Sequence, residues 1–457
     1  DAEAITYVPP LPALGNYPMA PAGVCEDVHD GTPVSVTVGE SVASETMDQA
    51  MDRLQALSPE GGVLYVPYDH DEGQCPQISI NGAQAGSKWA VKGVLGPNGE
   101  RPYFYCRSQL RDGTIPNDQV EGLFLYFVGG DKPRELQMDS MHIDGYKETI
   151  GTTGFAESDS KLVVRNVYAH HQRNDGLFGS SNSYEGANNL SFEICGSEIS
   201  HAGQGNFAHG LYMHRGHGST DRTHTLHYYH NICHSTPYSS CLKTIADYNY
   251  IKGNIFAQSL TTDESYAPHW SSLLVDAAVC GQNVIESNHF YGYKEDVSAR
   301  GDRLIGLRNR RDKVRGCDDP YYWDLEVHPE AGESTYPPNR TEFPYGWTLN
   351  PEFHSATYWS NLNPTGGAYT GTKLFFTDIK NNVFYQGPSE VNGGYGEKLH
   401  AVDFYGTFPN QKATTGLGYW LQAPVFEDGS GWYERALARL EGNVYKGFAT
   451  DRHAYYC

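Results

Sequence analysis

The chain carries one short apolar motif many times over. Ile251-x-x-Asn254-x-Phe256 returns as Ile285-x-x-Asn288-x-Phe290, as Ile379-x-x-Asn382-x-Phe384 and as Leu440-x-x-Asn443-x-Tyr445. Looser versions are Met138-x-x-Met141-x-Ile143, Val164-x-x-Val167-x-Ala169, Phe192-x-x-Cys195 and His227-x-x-His230-x-Ile232. Between Met138 and Ile285, consecutive copies start 24 to 35 residues apart. A fixed motif at that period predicts a solenoid, whose repeats bury their apolar sides only against one another. Each copy reads as two short strands around a turn. The Asn is expected at the corner, bonded to backbone and to the Asn of the next coil. A sandwich or propeller would need hairpin turns at regular spacing. Asn81-Gly82, Asn98-Gly99 and Asn392-Gly393 lie outside the repeats.

Helical periodicity is nearly absent. Met47, Ala50, Met51, Leu54 and Leu57 recur at helical spacing and predict one amphipathic helix over 45–57, begun by Ser44 or Glu45. Gly61-Gly62-Val63-Leu64-Tyr65-Val66-Pro67 follows as a glycine turn into an apolar strand. A second short helix is predicted at 432–440. The expected fold is therefore all-β, a right-handed parallel β-helix with an N-terminal capping helix and long aromatic-rich loops. Residues 1–40 form an N-terminal extension and 41–457 a single domain. An insertion at about 318–363 leaves the repeat pattern and holds Tyr322 and Trp323 among prolines.

The order of these features resembles the pectate-lyase-like right-handed β-helix superfamily. The residues that carry the resemblance are Met47 to Leu57, then Gly61 to Pro67, then Val91-Lys92-Gly93-Val94 with Gly99-Glu100-Arg101-Pro102, and finally the Asn-bearing rungs. His209-Gly210-Leu211-Tyr212-Met213-His214-Arg215 and Cys241-Leu242-Lys243-Thr244 are similar to phrases of bacterial β-helix proteins. Where those proteins place an Arg soon after the Lys, this chain has Ile245. Asn174-Asp175-Gly176 and His209-Gly210 resemble pieces of the polygalacturonase pattern, but its paired aspartates and Arg-Ile-Lys element are missing. The resemblance implies a fold. It leaves lyase, hydrolase, epimerase and non-catalytic roles open.

Charge and cysteine content narrow the setting. With 33 basic against 55 acidic residues the formal net charge is −22, which disfavours nucleic acid and anionic membrane as partners. No run of eighteen apolar residues exists to span a bilayer. The start at Asp1, without a methionine or signal sequence, reads as a mature form or a trimmed chain. Nine cysteines leave at least one unpaired within the chain. Cys25, Cys75, Cys106, Cys317 and Cys457 sit in polar, Gly/Pro-rich surroundings suited to pairing. Cys195, Cys233, Cys241 and Cys280 sit in strand-like runs and read as buried thiols. A secreted or periplasmic location is expected. Oligomeric state is not encoded in any motif.

Candidate chemistry concentrates between 164 and 276. Ten of the 19 histidines lie from His170 to His234. Stacked coils bring residues that are distant in sequence to about 4.8 Å apart. The leading expectation is β-elimination on a uronic-acid-containing polysaccharide. That reaction needs a cation on the sugar carboxylate, a base for the C5 proton and an acid for the leaving oxygen. Arg215 or Lys243 supplies the first, and His209 or Tyr212 the second. Tyr212 or a nearby His supplies the third. His170, His171, Asn174, Asp175, His214, Tyr322 and Trp323 are the expected substrate-binding residues. His227 and His230 occupy repeat positions and read as interior. No metal is expected: the offsets of three in His224-x-x-His227-x-x-His230 point to opposite faces of a strand. Calcium on carboxylates such as Asp263, Glu264 and Asp276 stays open. The alternatives are a hydrolase with two carboxylates across the scissile bond, a C5-epimerase, or a non-catalytic carbohydrate-binding protein.

Overall fold

The computed structural model describes residues 20–29, 31–106 (except 74, 82 and 83), 122–128, 134–151, 160–177, 189–202, 209–213, 223–257 (except 235, 237–239, 245 and 247), 272–275, 282–292, 303–310, 376–386, 400–407, 438–446 and 454–456. These residues are mostly β. They form sheets of eleven, nine, six and three strands, paired in parallel, together with one helix. The chain visits the sheets in rotation. Thr223–Tyr229 lies in the eleven-stranded sheet, Ile232–His234 in the nine-stranded and Leu242–Thr244 in the six-stranded. The next pass repeats the order with Tyr248–Lys252, Ile255–Ala257 and Leu273–Val275. This stacking of rungs is consistent with a parallel β-helix solenoid.

The repeat motif marks the register. Val164, Ile194, Tyr228, Ile251, Ile285, Ile379 and Leu440 align in one column of the eleven-stranded sheet. Beyond the corner, Ala169, Ile199, Cys233, Phe256, Phe290, Phe384 and Tyr445 form a second. The last four rings stack with centroids 5.0, 5.1 and 5.2 Å apart, close to the spacing of strands in a sheet.

At the corner between the two columns stands an asparagine ladder. The backbone N–H of Asn231 donates to Asn254 Oδ1 (2.8 Å), that of Asn254 to Asn288 Oδ1, that of Asn288 to Asn382 Oδ1 and that of Asn382 to Asn443 Oδ1, the last three at 2.9 Å. Each Nδ2 donates to a carbonyl one rung back, as Asn254 does to Tyr228 O. Corner peptides that no strand pairing reaches are thereby satisfied inside the stack.

Two looser copies of the motif stand in a different register from the one their sequence suggests, by one residue at His227 and by two at Phe192, which stays buried. The aligned residues are Tyr228-x-x-Asn231-x-Cys233 and Ile194-x-x-Ser197-x-Ile199. A one-residue slip exchanges the two faces of a strand. His227 accordingly faces outward, half-buried and stacked on Tyr250 at 5.1 Å between centroids. His230 sits on the turn with φ 56°, where the neighbouring rungs carry Gly196 and Gly253. Neither is the interior side chain that the repeat predicts.

The helix runs Met47–Leu57 and starts two residues later than its sequence suggests. Thr46 is the N-cap and forms a reciprocal capping box with Gln49, so each side chain satisfies an amide at the helix start. Met47, Ala50, Met51 and Leu54 are fully buried. Their face is continuous with the solenoid core, while Leu57 is exposed. The second helix predicted at 432–440 is contradicted where it is described. Ala438–Glu441 is a strand paired with Thr377–Lys380, because Leu440 belongs to the repeat column and its partner strand decides the conformation.

Three disulfides join Cys25 to Cys195, Cys75 to Cys106 and Cys233 to Cys241. Cys195, Cys233 and Cys241 are therefore not thiols, against expectation. A strand position does not prevent pairing when a neighbouring segment brings a second cysteine alongside. Cys280, Cys317 and Cys457 lie outside the described residues, as does the 318–363 insertion. The Cys25–Cys195 bond belongs to a strap across the outer face of the eleven-stranded sheet. Asp27 there pairs with Lys92 and Arg165. The Cys25 N–H donates to Glu193, and Val28 packs with Val63, Ala90 and Val163. Among the described residues no helix is long and apolar enough to cross a membrane.

Candidate active site

Backbone pairing brings three consecutive levels of the stack together. Leu177 N–H donates to Gly210 O at 3.0 Å, and Leu211 N–H to Cys241 O at 2.9 Å. Leu177, Leu211, Leu242 and Leu273 point inward and are fully buried. The levels are packed too closely for side chains at two points. A Cβ on Gly176 would lie 2.6 Å from Gly210 O, and one on Gly210 would lie 2.5 Å from Cys241 O. Leu211 and Met213 belong to the core, so Tyr212 between them projects to the other face; Lys243 does the same between Leu242 and Thr244.

Tyr212 and Lys243 are register partners. Lys243 Nζ stands 4.1 Å from the centroid of the Tyr212 ring, a cation–π contact. The His209 ring lies 5.1 Å from that of Tyr212. Asp175 completes the group from the preceding level, its Oδ1 accepting the His209 backbone N–H at 2.6 Å. Tyr212 and Lys243 each keep 9% of their surface exposed, Asp175 8% and His209 3%. The group is thus outward-facing but largely dry, where charges act more strongly than in water.

The polar atoms already have orientations. His209 Nδ1 accepts the Ser240 backbone N–H at 3.2 Å, so the neutral ring carries its proton on Nε2. That nitrogen is a donor and not a base. Burial pushes the Asp175 carboxyl well above the usual carboxylate range. The His209 amide pulls it back, Glu148 adds to the rise and Lys243 opposes it. Asn174, beside Asp175, reaches Glu148 Oε1 with its amide at 3.4 Å. The disulfide Cys233–Cys241 lies directly behind, with Cys233 Sγ 3.1 Å from where a Gly210 side chain would start.

Of the residues singled out by sequence, the structure therefore brings His209, Tyr212, Lys243, Asp175 and Asn174 into one neighbourhood. Arg215, His214, Tyr322 and Trp323 lie outside the described residues. So do the carboxylates Asp263, Glu264 and Asp276. His170 and His171 join a different set, built on the nine-stranded sheet. His142, Tyr168 and His170 stack along it, and His171 stacks on His201 at 4.7 Å. Asp144 lies against both His170 and His171. Sequence reading missed Asp144, His142 and Ser240. Asp144 lies 26 residues before His170 and becomes its neighbour only through the rung register Asp144↔His170.

No family model matches the chain, and neither a curated protein nor a solved structure matches it.

Proposed function

We propose that the protein is a polysaccharide lyase of the pectate-lyase-like, right-handed β-helix type. It cleaves a uronic-acid-containing polysaccharide by β-elimination. The observation that carries this reading is the placement of Lys243, Tyr212 and His209 on one outward face across adjacent rungs. Lys243 holds the sugar carboxylate and takes up the charge that develops when the C5 proton leaves. Tyr212, acting as its phenolate beside the Lys243 ammonium, removes that proton. His209 hydrogen-bonds the departing glycosidic oxygen through its Nε2–H, in keeping with its tautomer, and the proton that Tyr212 took from C5 passes to that oxygen. The electron pair left at C5 forms the C4–C5 double bond, and the C4–O bond breaks. No step requires a metal. Three disulfides support an oxidising compartment such as a periplasm or the cell exterior.

One observation favours a hydrolase as the second reading: a buried Asp175 whose carboxyl is pushed above the usual carboxylate range resembles a general acid. Its hydrogen bond to the His209 amide points instead to a structural role. Incubation with a panel of uronate polymers separates the two. A lyase product absorbs in the ultraviolet through its new double bond. Reducing ends without that absorbance would mean hydrolysis and would overturn the lyase reading.

A further inference from the structure

The histidine set on the nine-stranded sheet has a second character. His170 Nδ1 lies 2.7 Å from His171 Nδ1, and Asp144 Oδ1 lies 3.5 and 3.6 Å from these two atoms. The point equidistant from all three is about 1.9 Å from each, by the geometry of that triangle. Zinc–nitrogen and zinc–carboxylate bonds are about 2.0–2.2 Å long. An ion placed slightly off the plane of the three atoms therefore reaches every donor without any of them moving.

We propose that Asp144, His170 and His171 bind one divalent transition-metal ion of the zinc class. Two imidazoles and one carboxylate suit Zn²⁺, Co²⁺ or Ni²⁺, and suit Ca²⁺ or Mg²⁺ poorly, since those take oxygen ligands.

The surroundings match what a metal site needs beyond its ligands. A ligating histidine normally donates its other N–H to a neighbour, and a ligating carboxylate is itself hydrogen-bonded. His170 Nε2 lies 2.7 Å from His142 Nε2, and Tyr103 OH donates to Asp144 Oδ2 at 2.9 Å. The His170 ring is fixed against Tyr168 at 4.6 Å, and that of His171 against His201 at 4.7 Å. The side chains of His170 and His171 keep 12% and 25% of their surface open, which leaves an entry route.

His171 occupies a corner with φ 58°, one rung after Gly145 at φ 73°. A non-glycine residue in this left-handed conformation costs about 1 kcal/mol or more. The fold would be served better by a second glycine. His201, one rung on, holds the same conformation at φ 51° and stacks on the His171 ring.

The test uses the full chain, stripped with a chelator and titrated with Zn²⁺ by calorimetry and with Co²⁺ by visible absorption. One equivalent is expected. His171→Gly keeps the corner conformation and removes a donor. It should abolish stoichiometric uptake while leaving the melting temperature in chelator equal or higher. Tyr103→Phe should weaken binding about 10- to 100-fold. Failure of the parent chain to take up one equivalent would overturn the proposal. So would uptake that His171→Gly leaves unchanged. Neither result bears on the Lys243 site, which needs no metal.

Discussion

Lys243 places its ammonium over the face of Tyr212, with Nζ 4.1 Å from the ring centroid, across one step of the stack. The pair is fixed by register, since Tyr212↔Lys243 is a backbone pairing between Leu211–Met213 and Leu242–Thr244. If Lys243 neutralises the substrate carboxylate, Lys243→Met should lower kcat about 100- to 1,000-fold, the usual cost of losing one preorganised electrostatic partner. The methionine keeps the stem that packs on the ring, so the fold should persist. Double-bond formation followed by ultraviolet absorbance is the readout, with the thermal melt as control. Near-parental turnover in a folded variant would remove Lys243 from the reaction.

The asparagine ladder makes a stability prediction. Asn288 Oδ1 accepts from Asn254 N–H, and Asn288 Nδ2 donates to Ile251 O at 2.8 Å and to Asn382 Oδ1 at 3.0 Å. Asn288→Ala leaves a buried N–H and a buried carbonyl without these partners, which should cost roughly 2–4 kcal/mol. Asn443 closes the described ladder and is only half-buried, so Asn443→Ala should cost less than about 1 kcal/mol, water replacing the lost bonds. Denaturant unfolding of both variants checks the ranking, and equal losses would contradict it.

The strap predicts a disulfide effect. Cys25–Cys195 closes a sequence separation of 170 residues. Loop-closure entropy alone gives about 5 kcal/mol for a ring of that size, and measured effects commonly run about 2–4. Cys25→Ser with Cys195→Ser should therefore lower the melting temperature by several degrees. Residues 23–29 should also become more sensitive to protease, because only the Asp27 ion pairs, the Val28 contacts and a few hydrogen bonds then hold them. An unchanged melt and cleavage pattern would show that the strap is held without the bond.

How far the sequence could be read follows from where its signal is local. The strong Ile-x-x-Asn-x-Phe copies are legible because every buried position has its own residue type. At Tyr228-x-x-Asn231-x-Cys233 the aromatic, polar and sulfur residues resemble their outward neighbours His227, His230 and Ile232, and the register slipped by one. The Cys25–Cys195 bond joins residues that only folding brings together, so no spacing rule could find it. Tyr212 and Lys243 could be nominated from local phrases, but their pairing depends on the length of the loop between rungs. The Asp144–His170–His171 convergence needs both the register and a left-handed corner, and neither leaves a short-range pattern.

His227 predicts an acid sensitivity with a defined sign. Burial, with Lys161 and Lys252 nearby, pushes its imidazole down to about 4. In the unfolded chain the ring takes its proton near pH 6.5. Above about pH 6.5 it is neutral in both states and adds no pH dependence. Between about 6.5 and 4 the unfolded chain binds a proton that the folded chain refuses, so stability falls as pH falls through that window. The loss should be on the order of 2 kcal/mol once solvent screening of the partly open ring is discounted. His227→Phe keeps the stack on Tyr250 and has no proton to bind. Its unfolding free energy should be flatter with pH across the window than that of the parent. Some slope should remain, because burial also lowers the pKa of His29 and His142. Parallel pH profiles for the two chains would mean that His227 titrates in the folded state as it does in water.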